Sequence, residues 1–213
     1  MRKLLATLLQ VRLAVAVIAV LGIAFIAFGI LVGMPPFAYI VIGLLIGLPT
    51  VMYVYKPRKN ALTNAKALTF FFGATLATML IIQLIPYGKD HSNPPVNGEP
   101  AWSSPRTREL MVNACFGCHS NSVEYPAYAS VAPISWTVQS HVDEGIDKVN
   151  YQEWNLRQRE AEETIEVIRE GSMPPGYYTM FGMHPEAKLT DAEISELIAG
   201  LLATPGFSEG DGE

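Results

Sequence analysis

The sequence Cys115-Phe116-Gly117-Cys118-His119 contains both cysteines of this 213-residue chain. Two thiols three positions apart project from a single helical turn, and the histidine follows them directly. This C-x-x-C-H spacing is the attachment sequence of c-type haem, in which the histidine is the proximal iron ligand. The sequence therefore predicts one covalently bound haem held by Cys115, Cys118 and His119.

Other interpretations of the cysteine pair have less support. Structural zinc requires four ligands, and the sequence offers no second C-x-x-C or C…H pair to complete the set. A redox dithiol of the thioredoxin type is expected within a βαβ pattern, which this sequence lacks. A chance pair of unmodified thiols is the remaining alternative.

Charge is distributed unevenly along the chain. Residues 1–88 contain seven basic residues and no acidic one, whereas residues 89–213 contain all 20 acidic residues and the other eight basic ones. The first part therefore carries a net charge of +7 and the second −12. Because acidic side chains are costly within a bilayer, the two parts are predicted to occupy different environments.

Three apolar stretches lie within residues 1–88, at about 11–33, 36–55 and 67–87. About twenty apolar residues are enough to cross a bilayer as a helix, and none of the three stretches has the polar face of a soluble core helix. We therefore expect a three-helix membrane anchor, with a kink or tilt at Pro49. A cleaved signal peptide is the alternative for the first stretch, although its apolar run is too long.

Two arguments predict the orientation of this anchor. Basic residues flank the first span and fill the 56–66 loop, whereas the 34–36 turn is uncharged. The positive-inside rule places the N-terminus and that loop in the cytoplasm, so three crossings leave residues from about 88 onward outside. Bacterial covalent haem attachment also takes place outside. We expect a multi-pass protein of the bacterial cytoplasmic membrane, with its haem domain on the periplasmic side.

The acidic part divides into a linker, a domain and a tail. Residues 89–105 are rich in Pro, Ser and Asn, which is typical of a linker. Residues 106–204 form the predicted haem domain, and residues 205–213 a disordered acidic tail. Helical periodicity predicts helices from 105 or 106 to about 117, at 133–144 and at 156–170. A last helix begins at Thr190, where Thr190 and Glu193 form a capping box.

The second iron ligand has several candidates outside the membrane, namely His141, His184, Met111, Met173, Met180 and Met183. Met173 has the best context, because it follows a predicted helix in the sequence Gly171-Ser172-Met173-Pro174-Pro175. The order of motif, helices, Gly-x-Met-Pro loop and C-terminal helix resembles class I cytochromes c. That resemblance implies Met173 as the distal ligand; Met183, Met180 and His141 remain the alternatives.

The acidic part also resembles the bacterial haem-binding domain family. The matching stretches and residues are Cys115–Asn121, Tyr125-Pro126 with Tyr128, Ala132–Trp136, His141–Gly145, Asn150 with Glu153-Trp154, Gly171–Pro175, Tyr177-Tyr178, and Met183–Ala187 with Leu189. The resemblance implies a small mono-haem c-type domain. The fold class is therefore predicted to be all-α, with three transmembrane helices followed by a small cytochrome c-like helical domain. Family members resemble a single anchor plus this domain, so three spans indicate a larger membrane assembly.

An iron held by His119 and Met173 would have no open site, which favours electron transfer over catalysis. We therefore expect a non-catalytic electron carrier in a respiratory or photosynthetic complex. Its expected partners are the lipid bilayer, other membrane subunits and a soluble redox protein, and no nucleic acid is expected. Small residues in the spans would permit close packing against those subunits. A haem-based gas sensor and a haem peroxidase are the alternative functions.

Overall fold

The computed structural model describes residues 10–56 and 61–207. Within these ranges every regular element is a helix and there is no strand, which confirms the predicted helical class. The chain divides into two compact units. The first unit contains Met1–Asp90 and Ala127–Val138, and the second contains His91–Pro126 and Gln139–Glu213.

Three helices of the first unit are long and apolar enough to cross a membrane. They are α1 (Arg12–Leu31), α2 (Pro36–Tyr55) and α3 (Asn64–Leu84), in agreement with the three predicted spans. Pro36 occupies the first position of α2, where its missing N–H costs no hydrogen bond. The Thr63 side chain caps α3 by accepting a hydrogen bond from the Lys66 backbone N–H.

The middle span is irregular near its proline. A π-helical turn occupies Gly43–Gly47 and is followed by the α-helical segment Leu48–Tyr55, which has Pro49 in its first turn. A proline inside a helix removes one backbone hydrogen bond and crowds the preceding turn. A wider turn with one extra residue accommodates such a position without ending the helix.

The loop segment Ala127–Val138 packs with the helices of the first unit. The Gln83 side chain donates to the Ala132 carbonyl oxygen at 2.8 Å and accepts from the Ala132 N–H at 3.0 Å. Trp136 is fully buried in one cluster with Ala38 and Ile82. The sequence had assigned residues 127–138 to the haem domain. Long-range packing of Trp136, which local periodicity does not encode, places them with the spans instead.

The second unit is built mainly from short helices. They are α4 (Pro105–Ala114), α5 (Phe116–His119), the larger part of α6 (Ile134–Lys148), α7 (Thr164–Arg169) and α8 (Asp191–Leu202). Its core contains Leu110, Tyr151, Leu197 and Phe207 among others. A Cβ atom on Gly200 of α8 would lie 3.0 Å from the Thr107 Cβ atom of α4, so glycine permits the close contact of these two helices.

The C-terminal helix begins as the sequence predicts. The Thr190 hydroxyl accepts from the Glu193 N–H at 3.3 Å, and the Glu193 carboxylate accepts from the Thr190 N–H at 2.9 Å. This reciprocal pair confirms the capping box.

The helix predicted over residues 156–170 is shorter in the structure, where only Thr164–Arg169 is α-helical. The preceding residues form turns because the Gln158 side chain bonds to nearby backbone groups. It accepts from the Asn150 N–H at 2.8 Å and donates to the Glu153 carbonyl oxygen at 2.8 Å. Such side-chain bonds compete with helix formation.

Two further segments differ from the predicted domain boundaries. The linker residues from His91 onward belong to the second unit, and the Asn97 N–H donates to the Gln152 carbonyl oxygen at 3.0 Å. At the other end, Phe207 is buried and stacks on Trp154 with ring centroids 4.8 Å apart. Phe207 therefore packs on the core, while residues 208–213 of the predicted tail lie outside the described residues.

A half-buried carboxylate network joins the segment predicted as a linker to α4. The Glu99 carboxylate accepts from Arg108 Nε at 2.6 Å, Trp102 Nε1 at 2.9 Å and Gln152 Nε2 at 3.1 Å. The hydrogen bond from Arg108 is the main reason that the pKa of Glu99 lies at about 2, below its ordinary value of about 4.3. The charged form of Glu99 is therefore the form that stabilises the fold.

Because of this network, the stability difference between the wild type and a Glu99→Gln variant should depend on pH. Above pH ~4.3 the contribution of Glu99 is fully present, and it is lost as the pH falls towards the folded-state pKa. We expect Glu99→Gln to lower the unfolding free energy by about 2 kcal/mol near neutral pH. The gap to wild type should narrow below pH ~4. Thermal unfolding of both proteins across this pH range measures the stability difference. A difference that does not change with pH would contradict the stabilising role of the charged Glu99 side chain.

Candidate functional site

A cavity of about 200 Å³ opens in the second unit. Its wall contains Cys115, Cys118 and His119 of the motif, together with His141 and Met173 from later segments of the chain. Met111, Met180, Met183 and His184 do not contribute to this wall. The structure thus brings the motif together with two of the candidate second ligands and leaves the other four outside.

The motif itself forms one helical turn. The N–H groups of Cys118 and His119 both donate to the Cys115 carbonyl oxygen, at 3.2 and 3.1 Å. This turn follows directly on α4, which ends at Ala114. The local geometry therefore places both thiols and the imidazole within the five residues from Cys115 to His119, as the spacing predicts.

His119 is held in a defined orientation. Its Nδ1 atom lies 3.1 Å from the Val149 carbonyl oxygen, to which it can only donate. Burial lowers the pKa of His119, so the neutral imidazole is favoured. With the proton on Nδ1, the Nε2 lone pair is available to a metal, and a backbone carbonyl is the usual partner of a metal-binding histidine.

The two cysteines are half-buried and form no disulfide. Burial raises the pKa of Cys115 to about 12 and that of Cys118 to about 11. The Cys115 thiol contacts the Met111 sulfur at 3.8 Å. Reactive dithiols depend on a lowered thiol pKa, so this environment disfavours the redox-dithiol interpretation.

Gly145 of α6 lies directly against the motif. A Cβ atom on Gly145 would lie 2.4 Å from the Cys118 carbonyl oxygen and 3.0 Å from the Cys118 carbonyl carbon. Only glycine permits this approach, because the opposing atoms belong to the backbone. The contact fixes the distance between α6 and the turn that carries both cysteines.

A buried polar network fixes the segment after His119. The Asn150 side chain donates to the Asn121 Oδ1 atom at 2.7 Å, and its own Oδ1 atom accepts from the Gln152 N–H at 3.0 Å. The Tyr151 N–H donates to the His119 carbonyl oxygen at 2.9 Å. Because buried polar groups are costly when left unpaired, these bonds hold residues 149–152 against the motif.

The Met173 loop contributes another part of the wall. Gly171 adopts a φ of +69° after α7, and the N–H groups of Ser172 and Met173 donate to the Val167 carbonyl oxygen at 3.0 and 3.2 Å. This turn places Met173 at the cavity, where its side chain is 37% exposed.

His141 is the second candidate ligand in the wall. It stacks on Tyr177 with ring centroids 4.9 Å apart, and the Tyr177 hydroxyl lies 3.4 Å from its Nε2 atom. Burial is the first cause that raises the pKa of Tyr177 to about 12. Tyr177 therefore stays protonated and can donate to His141.

Several wall residues were not identified from the sequence. They are Lys148, Val149, Tyr151, Glu160, Glu163, Thr164, Val167 and Ile168. The Lys148 ammonium lies 2.8 Å from the Glu160 carboxylate. A helical stripe had indicated Ile168 as a core residue. No local pattern in the sequence distinguishes the other residues, because their approach to the cavity depends on tertiary packing.

The donor set favours haem over a protein-bound metal ion. Among the described residues, no group of three or more His, Cys, Asp or Glu side chains could hold a metal ion. Haem needs only one or two axial ligands from the protein. One imidazole with a defined free nitrogen, two neighbouring thiols and an apolar wall match that requirement.

Comparison with known proteins agrees with this chemistry. The haem-binding domain family matches residues 77–203, which is more than half of the chain. The chain therefore belongs to the haem-binding domain family. The match begins within α3 and continues past the end of α8. No curated protein and no solved structure matches the chain. Family membership supports haem as the cofactor.

Proposed function

We propose that the protein is a mono-haem c-type cytochrome that carries electrons at the membrane. The observation that carries the proposal is the cavity that brings Cys115, Cys118 and His119 together with Met173. In this proposal Cys115 and Cys118 would hold the haem by thioethers, and His119 and Met173 would supply ligands to its iron. When bound, the haem supplies a one-electron couple between ferric and ferrous iron.

The residues of the chain would tune and protect this couple. The Val149 carbonyl oxygen orients the His119 ring and increases its basicity as a ligand. A methionine sulfur opposite histidine raises the reduction potential. No wall residue is required to move a proton, so we propose an electron carrier rather than an enzyme.

The three apolar helices support a multi-pass membrane location. We propose the bacterial cytoplasmic membrane, with the N-terminus in the cytoplasm and the haem unit on the periplasmic side. The basic residues that flank the first span and fill the 56–66 loop support this orientation through the positive-inside rule. Three spans exceed what tethering requires, so we further propose that the protein is a subunit of a respiratory or photosynthetic complex.

A haem-based gas-binding module is the second candidate function. The side chain of Met173 is 37% exposed, and His141 and Tyr177 supply polar groups to the same cavity. A sulfur ligand that dissociates easily would leave a site for a small gas beside those groups. A peroxidase would need the same open site and is distinguished by a high-spin spectrum.

Substitution of Met173 tests the proposal. Optical redox titration of the purified full chain should detect a sulfur–iron absorption band in the ferric wild type. In Met173→Ala the band should disappear, and the reduction potential should fall by on the order of 0.1 V within the ~0.8 V range that axial ligands span. His141→Ala is the matched control and should keep the band.

Two results would contradict this assignment. Survival of the band in Met173→Ala would exclude Met173 as the ligand. Rapid binding of carbon monoxide by the reduced wild type would favour the gas-binding module, whereas electron transfer predicts rapid binding only after Met173 is removed.

A further inference from the structure

Phe181 is an exposed aromatic residue in an unfavourable backbone conformation. Its side chain is 83% exposed, and its backbone has φ 57° and ψ 20°, in the left-handed region. Residues other than glycine avoid this region because Cβ approaches the carbonyl oxygen. Glycine adopts this conformation without strain, as Gly182 does at the next position with φ +76°. A tight turn alone therefore does not explain a phenylalanine at position 181.

The loop that carries Phe181 is held at both ends. Tyr178 and His184 stack with ring centroids 4.0 Å apart and planes 4° apart. The Met183 N–H donates to the Met180 carbonyl oxygen at 3.1 Å across the tip. Tyr178 also lines the cavity. Phe181 therefore lies in a restrained loop that begins at the cavity wall, three residues after Tyr178. Such preorganisation reduces the entropic cost of binding a partner.

The same cavity has an acidic mouth. Glu144 and Glu163 line it and are exposed. Lys148 is the one lysine or arginine among the described lining residues, and its ammonium is paired with Glu160. The mouth therefore has a net negative charge, which attracts a positively charged surface over distances of about a Debye length.

We propose that Phe181 and the carboxylates Glu144 and Glu163 form a docking surface for a basic redox protein. Phe181 would be the apolar anchor, since aromatic residues dominate the binding energy of interfaces. The carboxylates would steer the partner to the cavity. The proposal depends on the electron-carrier function. One electron passes between the two proteins, so one is oxidised and the other reduced, with no bond formed or broken.

A lipid surface is the other possible contact for an exposed aromatic side chain. Bacterial and other membranes with anionic lipids have a negative surface potential. Carboxylates at the cavity mouth would be repelled by such a surface and attracted by a basic protein. The charge distribution therefore favours a protein partner.

Equilibrium binding of a strongly basic soluble cytochrome c tests the proposal. The full haem-loaded chain in nanodiscs is titrated with this probe, and Kd is measured by calorimetry. Phe181→Ala should weaken binding by about tenfold or more, the effect of removing an interface anchor. Leu156→Ala is the matched control, because Leu156 is also exposed (56%) but lies outside the Phe181 loop; its Kd should not change. Binding by the wild type should weaken as salt is raised.

Phe181→Gly separates docking from folding. Glycine removes the backbone strain, so Tm should stay equal or rise by about 2–4 °C, while Kd weakens as in Phe181→Ala. Equal Kd values for wild type and both variants would overturn the proposal, as would a wild type that does not bind the probe.

Photo-crosslinking identifies the contact directly. With p-benzoylphenylalanine at position 181, irradiation in nanodiscs that contain phosphatidylglycerol should yield a conjugate with the basic probe. A conjugate with lipid instead would overturn the proposal. Reduction of the haem by a small-molecule reductant is measured on the same samples. A wild type that is not reduced would refute the electron-carrier function itself. Normal reduction together with a changed Kd would concern the docking surface alone.

Discussion

Replacing both Cys115 and Cys118 with alanine should yield a polypeptide that carries no haem after denaturation. The wild type should retain one haem per chain through extraction with acidified acetone, because thioether bonds survive unfolding whereas axial ligands do not. Haem staining of a denaturing gel and the pyridine haemochrome spectrum measure the change. The expected effect is complete loss of covalent haem.

The single variants provide an internal control for this experiment. Cys115→Ala and Cys118→Ala each leave one thiol for attachment, so haem should remain bound through one thioether with one vinyl group unreacted. The haemochrome band should then move to longer wavelength than in the wild type. Complete extraction of haem from the wild type would refute covalent attachment and leave His119 as the principal anchor.

Gly145→Ala should strongly reduce the yield of haem-loaded protein and its stability. The new methyl group would lie 2.4 Å from the Cys118 carbonyl oxygen, and a backbone oxygen cannot rotate away as a side chain can. Helix α6 would have to move from the motif, and Val149, which accepts from His119, lies one turn further along. Overpacking of this kind costs about 1–3 kcal/mol, or roughly 2–12 °C in Tm.

Gly176→Ala is the matched control for this substitution. Gly176 belongs to the same unit, and a Cβ atom there would meet no atom within 4 Å. Haem content per chain and thermal unfolding should therefore match the wild type in Gly176→Ala and decrease in Gly145→Ala. Equal values for both variants would mean that α6 and the motif can separate without consequence for haem binding.

Local patterns were sufficient to predict the helices and their signals. The apolar runs gave three helices long enough to cross a membrane, and Thr190 with Glu193 gave the start of α8. Each of these features depends on residues a few positions apart. The same is true of the turn that presents Cys115, Cys118 and His119.

Features that depend on distant contacts were not predictable. The Gln158 side chain replaces the expected helix start with turns by bonding to backbone groups of neighbouring segments. The sequence assigns Phe207 to an acidic tail, because its stacking on Trp154 is a contact between residues far apart in the chain. Val149 and Tyr151 reach His119 through a network centred on Asn121 and Asn150. Periodicity carries no information about any of these partners.

The pairing of Gln83 with Ala132 has a practical consequence for biochemistry on this protein. A water-soluble fragment that starts after Asp90 would retain Trp136 but lose Ala38 and Ile82, which bury it. The Trp136 side chain would then be exposed to solvent, and the Ala132 peptide groups would lose their hydrogen bonds to Gln83. Such a fragment would be prone to aggregation, which distorts its absorption spectrum. Detergent or nanodisc preparations of the intact polypeptide are the appropriate starting material for redox measurements.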